Sequence, residues 1–380
     1  MTASYKHLFQ RAIAADPERL HFAAHSHHLW PDASYVGQLA AWTDAARLAD
    51  RKWDRVLDEL WPAAQAHVAA ELNLPDPATV VFAGNTHDFL VRLILSVPHR
   101  PVRILTSDGE FHSFRRQALR WEESGEAIVA RVPAGEGTDG IVARTGAFAP
   151  DIILVSQVMF GTGRLAGDLA PVAALARPDG PWVVVDGYHG FMAVETGLAP
   201  LADRVFYLAG GYKYAMAGEG VAIMHAPPGH VPRPGITGWY AEFEDLAVPP
   251  GRIGFAPDAR RFMGATFDPS GLYRFVAVRD MLADEGLDTR AITAHAIMLR
   301  DQLRAGLPAT ALGEAEWLNP PGTGTERFMA LRHPDAPRWQ AALLADGVIT
   351  DVRGDVLRIG FGLYQTARDV EQFAAILRKL

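Results

Sequence analysis

The chain has 380 residues, of which 49% are apolar and 21% charged, and a net charge of −8. That composition fits a soluble globular enzyme with a large core, in two domains or one large and one small. An acidic balance with no basic, aromatic-interleaved stripe excludes a nucleic-acid partner. No run approaches the roughly 18 apolar residues of a membrane helix. The opening "MTASYKHLFQRAIAADPERLH" lacks the apolar core of a secretory signal, so a cytoplasmic location is expected. There is no cysteine, which removes disulfides, thiolate metal sites and a cysteine nucleophile.

In chain order, residues 20–34, "LHFAAHSHHLWPDAS", read as a loop. Over 38–72, Trp53, Leu57, Leu60, Ala64, Val68 and Leu72 recur at helical spacing, with Pro62 expected to divide the stretch. From residue 78, short apolar runs alternate with helical segments: "TVVFAGN", "RILTS", "DIILVSQV", "WVVVD", "RVFYLAG" and "GVAIMHA". That alternation predicts an α/β fold with a large, mostly parallel sheet covered on both faces. A Pro/Gly-rich stretch follows residue 230. The tail reads as a smaller α+β unit, with helices near 271–285, 289–306 and 336–346, strands near 326–332 and 355–361, and a closing helix. The expected partition is a large domain over 20–265 and a small one over 266–380, joined by 1–19.

Three strand ends carry unlike chemistry, and ligands of open α/β sheets sit beyond the carboxyl ends of the strands. Asn85 and Thr86 follow the first strand at a helix start, where side chains and free N–H groups suit a phosphate or an ordinary cap. Asp186 ends "WVVVD", and a buried carboxylate wants a cationic partner. Lys213 follows "RVFYLAG" between Tyr212 and Tyr214, where an apolar pocket would lower its pKa and leave a nucleophilic amine. A phosphate cradle, a carboxylate for a protonated pyridine and an amine for covalent attachment are what pyridoxal phosphate needs.

Asp186-Gly187-Tyr188-His189, with Lys213 27 residues after the aspartate, resembles the D-x-x-H…K pattern of the class V, fold-type I pyridoxal-phosphate enzymes. "GGYKY" is similar to the S-Y-K-Y of kynureninases. "FAAHSHHLWPD", "GEFHS", "SQVMFGTGRL", "GWYAEF" and "GDVLRIGFGLYQT" resemble further kynureninase segments in the same order, across residues 22 to 364. The resemblance implies that Lys213 carries the cofactor, Asp186 pairs with its ring nitrogen and His189 lies near its 3-hydroxyl. It implies that Asn85, Thr86 and Tyr212 hold the phosphate and that Phe111 covers the ring. Trp239 and Thr266 would reach a neighbouring subunit's site, implying a homodimer. "GATFDPSG" and "HSHHL" depart from the kynureninase pattern, so the cofactor site is better matched than the substrate site.

Alternation along "GDVLRIGF" puts Leu357, Ile359 and Phe361 on one face and Val356, Arg358 and Gly360 on the other. Arg358 thus leaves the core face and, with the resemblance, is assigned to a substrate α-carboxylate. The His25, His27, His28 cluster has no partner ligand at metal-site spacing, so no metal is expected. The resemblance implies instead that this segment, through Ser26 and His28, lines the substrate pocket. The expected activity is a kynureninase-like hydrolysis of a Cβ–Cγ bond in a small amino-acid substrate. A class V aminotransferase, a β-lyase or an epimerase-like enzyme is the alternative, and a non-catalytic binding module the bland one. A nicotinamide dehydrogenase is excluded, because "FGTGRL" lacks the third glycine of the dinucleotide fingerprint.

Overall fold

The computed structural model describes residues 4–230, 232–245 and 251–380. Its main sheet has seven strands: β1 (Val80–Ala83), β2 (Val102–Ser107), β3 (Ala127–Val132), β4 (Ile152–Ser156), β5 (Trp182–Asp186), β6 (Val205–Gly210) and β7 (Ala222–His225). Their spatial order is β1-β7-β6-β5-β4-β2-β3. The pairs β2–β3, β2–β4, β4–β5 and β5–β6 are parallel, while β7 runs antiparallel to both β1 and β6. The apolar runs of β4, β5 and β6 are buried along both faces, as central strands covered by helices require.

Helices α1 (Asp32–Leu48), α2 (Trp61–Leu72), α3 (Thr86–Leu95), α4 (His112–Glu123) and α5 (Gly137–Phe148) accompany this sheet. The expected division at Pro62 falls earlier. Ala49 takes a φ of 51° and ends α1. Pro62 lies inside a continuous helical run over 52–72, just after a π-helical segment, Val56–Leu60, whose irregular turn accommodates the proline's missing N–H. The helix expected over "LAPVAALA" is a single turn, Ala170–Ala173. Helix α6 (Ser270–Asp284) lies in the same apolar core, through Leu272, Phe275, Val278 and Leu282.

The tail forms a four-stranded antiparallel sheet from β8 (Glu316–Trp317), β9 (Phe328–Arg332), β10 (Asp351–Arg353) and β11 (Val356–Gly360), in the order β10-β11-β9-β8. Helices α7 (Thr289–Gly306), α8 (Ala336–Ala345) and α9 (Ala367–Leu377) pack on it around a second core containing Leu299, Leu303, Met329, Trp339, Leu357, Ile359, Phe361 and Phe373. Helix α9 starts at a capping box in which Thr366 and Asp369 satisfy each other's backbone N–H groups. Leu20–His21 pairs in parallel with Val348–Ile349, tying the N-terminal segment to this unit. Residues 1–3 of that segment, and Val231 in the Pro/Gly-rich stretch, lie outside the described residues.

Candidate active site

Because β7 is antiparallel to both β1 and β6, those two strands run the same way, and with β5 they end on one edge of the sheet. Asp186, the last residue of β5, lies in register between Ser156 of β4 and Leu208 of β6. Lys213 follows β6 by three residues, and Asn85 and Thr86 follow β1. All four line one cleft of about 930 Å³ with Phe111, Tyr188, His189 and Tyr212. The loop before α3 also behaves as an ordinary cap: Asn85 Oδ1 accepts from Asp88 N at 3.0 Å.

Lys213 is buried, and its Nζ contacts His189 Nε2. The ring centres of Tyr188, Tyr212 and Phe111 lie 4.9, 5.7 and 5.7 Å from Nζ. Burial pulls the ammonium pKa down to about 7, against the opposing pull of Asp186. The turn holding the lysine is tight. Met216 N donates to Lys213 O, and Met216 itself takes a φ of 54°, a strained conformation for a non-glycine residue.

Asp186 Oδ1 accepts from Tyr188 N at 2.9 Å. Burial raises its carboxyl pKa above the ordinary value. Among the described residues no cation forms an ion pair with Asp186, so a protonated ring nitrogen fits the need. Gly187, next to it, packs against Tyr207 so closely that a Cβ there would lie 2.0 Å from the phenol ring carbon. His189 is buried with its Nδ1 unpartnered, and burial and the Lys213 charge keep its ring neutral.

Glu110, which the sequence reading passed over, is buried one residue before Phe111. It accepts from Ser107 Oγ at 2.7 Å and from the Ser156 hydroxyl and backbone N–H. Burial pushes its pKa up to about 7, despite those hydrogen bonds.

Arg358 is only 2% exposed. The β11 alternation is as expected: Leu357, Ile359 and Phe361 enter the second core, and Arg358 faces the other way. A carboxylate already meets it. Asp351, opposite on β10, accepts from Nη2, and the Phe160 carbonyl accepts from Nη1, leaving Nε unpartnered. Of the three clustered histidines, His25 is fully buried, 3.6 Å from Asp351 and within the fields of Arg358 and Lys213. Gly360 leaves its room: a Cβ there would lie 2.3 Å from His25 Nδ1. His28 turns into a different buried cluster, donating through Nδ1 to Leu29 O beside Phe9 and Tyr364. Ser26 is half-buried in a turn, and His27 is exposed. Trp239 Nε1 and Thr266 Oγ1 lie 3.3 Å apart, exposed and outside the cleft lining.

Residues 294–377 match the kynureninase C-terminal domain family. The chain is 27% identical over 369 residues to isopenicillin N epimerase of Streptomyces clavuligerus, covering 88% of this chain and 89% of that one. It superimposes on a cystine C–S lyase with a TM-score of 0.81 at 16% identity, over 98% of this chain and 99% of that one. A variant of that lyase with glycine covalently linked to its pyridoxal-phosphate cofactor gives 0.82 at 16% identity, over 100% of both chains. A cysteine desulfurase of Thermococcus onnurineus NA1 gives 0.79 at 15% identity, over 100% of this chain and 98% of that one. The fold is that of the fold-type I pyridoxal-phosphate-dependent enzymes.

Proposed function

We propose that the chain uses pyridoxal phosphate to act at Cα of an amino acid, and that the reaction is a kynureninase-type hydrolysis of a Cβ–Cγ bond beside a γ-carbonyl. The observation that carries this reading is Lys213, on the loop that follows β6, the strand paired with that of Asp186: a buried amine in contact with His189, its pKa drawn to about 7. The kynureninase match over residues 294–377 supports the choice of reaction. The cofactor, when bound, supplies an electron sink for charge developing at Cα.

The chain's own residues divide the remaining work. Asn85, Thr86 and Tyr212 hold the phosphate at the start of α3. Asp186 keeps a proton on the ring nitrogen, His189 faces the ring hydroxyl and Phe111 covers the ring. Lys213 Nζ holds the cofactor and, once released, takes the Cα proton. Arg358 grips the α-carboxylate through Nε, the nitrogen left without a protein acceptor. Tyr188, in the cleft lining, supplies a hydroxyl to orient the attacking water. Ser26 and His25 face the substrate side, His25 being the histidine of the cluster that lies beside Asp351 and Arg358.

The assembly we propose is a homodimer of cytoplasmic subunits, each with a large domain over 20–265 and a small one over 266–380 with 1–19. Trp239 and Thr266 reach the partner's site. Exposed Trp30, Tyr35, Val36, Leu39 and Trp42 near and along the first helix support a face that a second copy covers. Among the described residues no helix is long and apolar enough to cross a membrane.

A second reading, epimerisation at Cα, is favoured by the epimerase relative. One reaction separates the possibilities: the cofactor-loaded protein with kynurenine in deuterated water and no added keto acid. Alanine and anthranilate over many turnovers support the hydrolase. Recovered kynurenine with deuterium at Cα and mixed configuration supports epimerisation. A single turnover restarted only by a keto acid identifies an aminotransferase.

A further inference from the structure

Arg327, at the foot of β9, has no exposed surface, yet its guanidinium makes a single hydrogen bond, to Met192 O at 2.9 Å. Its Nε and Nη2 are buried without a protein acceptor. Among the described residues the one carboxylate whose field reaches it is Glu71, and that group is already taken by an ion pair to Arg279 at 3.0 Å and by the Thr289 hydroxyl. A buried cation in such surroundings costs several kcal/mol unless an anion compensates it.

The groups around it leave donors unused. The Tyr214 ring centre lies 4.9 Å from the guanidinium carbon, and the Tyr214 hydroxyl is unpartnered. Tyr364 lies in the same field, and its hydroxyl is buried and unpartnered too. His28, whose ring centre is 5.1 Å from that of Tyr364, directs an unpartnered Nε2 into the same buried region. The cation and the two phenols offer donors that no free protein carboxylate answers, while His28, whose Nδ1 already donates to Leu29 O, has only an acceptor at Nε2.

We propose that Arg327 is the centre of a buried site for a small monovalent anion, either a free halide-sized ion or a carboxylate of a bound ligand, with the Tyr214 and Tyr364 hydroxyls as further donors. The site is separate from the Asp351–Arg358 pair and stands whatever reaction the enzyme performs.

The test uses bromide on the cofactor-loaded full chain. Crystals soaked in sodium bromide should show an anomalous peak within hydrogen-bonding distance of the Arg327 nitrogens. Thermal unfolding at constant ionic strength, sodium bromide against sodium gluconate, should rise by about 2 °C per tenfold bromide once the site's Kd is passed. Arg327→Gln should abolish that dependence, and Tyr364→Phe should weaken it, keeping the test intact if the arginine variant fails to fold. Competition of bromide with aspartate or glutamate, but not with alanine, assigns the anion to a ligand carboxylate; binding without competition assigns it to a free ion. No peak and equal unfolding in bromide and gluconate would overturn the site.

Discussion

Asp351 stands directly across the small sheet from Arg358 and accepts from its guanidinium, so the arginine assigned to a substrate carboxylate already holds a carboxylate of the protein. A cross-strand pair of opposite charges is stabilising in itself. Here it also restricts what the arginine can offer a ligand. An incoming carboxylate meets the free Nε and must otherwise displace Asp351.

Neutralising Asp351 should therefore tighten ligand binding. Asp351→Asn is expected to lower the Kd of an amino acid by about three- to tenfold, or ~1 kcal/mol, read by titrating the cofactor's visible absorbance. Arg358→Gln should raise the same Kd by about a hundredfold, the loss of a charge-assisted pair. Equal Kd values for Asp351→Asn and the parent would show that the aspartate only braces the arginine.

Gly360→Ala should act through His25. The added methyl enters the space of His25 Nδ1 and of the Ala24 backbone, 3.0 Å away. Overpacking of this kind costs roughly 1–3 kcal/mol, which denaturant unfolding would register as a lower midpoint at unchanged slope.

The amine of Lys213 should set the pH dependence of cofactor uptake. With its pKa drawn to about 7 by burial, the free base falls tenfold per unit below that pH and is nearly complete above it. Stopped-flow loading of the apoprotein should accelerate up to about pH 7 and then level. Acceleration continuing toward the ordinary lysine value of 10.5 would mark the amine as solvated.

Glu110 should leave a mark on stability. Folded, it keeps its proton to about pH 7; unfolded, only to 4.5. Its contribution is whole below pH 4.5 and is lost as pH rises to about 7, a change of roughly 3 kcal/mol. Glu110→Gln, neutral throughout, should show a shallower fall of the apoprotein's unfolding midpoint between pH 5 and 8. Parallel curves would place the glutamate's titration outside that window.

How much of this was legible beforehand depended on range. The tips at Asp186 and Lys213 stood out because each charged residue follows a continuous apolar strand and, taken with Asn85 and Thr86, the set has one common explanation. The helices of the tail and its strands β9 and β11 were readable within a residue or two from local period, as at Thr289–Gly306 and Phe328–Arg332, whereas the two- and three-residue strands β8 and β10 are too short to show one. Edge strand β3 was not seen, since its middle residues are only half-buried or exposed and its pattern imitates a loop. Asp351 and His25 were unreadable as partners of Arg358, because only the folded sheet and the N-terminal loop bring them together. Glu110 and Arg327 were passed over, and nothing in the neighbours of Arg327 announces burial. A charged residue flanked by serines or aromatics at a strand end was the one available signal for Glu110, near Ser107 and Phe111.

The account rests on Lys213 as the point of cofactor attachment. The chain has four lysines, Lys6, Lys52, Lys213 and Lys379. Reduction of the pyridoxal-phosphate-loaded protein with borohydride, followed by peptide mass mapping, should place the whole reduced cofactor adduct on the peptide containing Lys213, and none on the Lys213→Ala variant. An adduct on Lys6, Lys52 or Lys379, or a protein that takes no label at all, would contradict it.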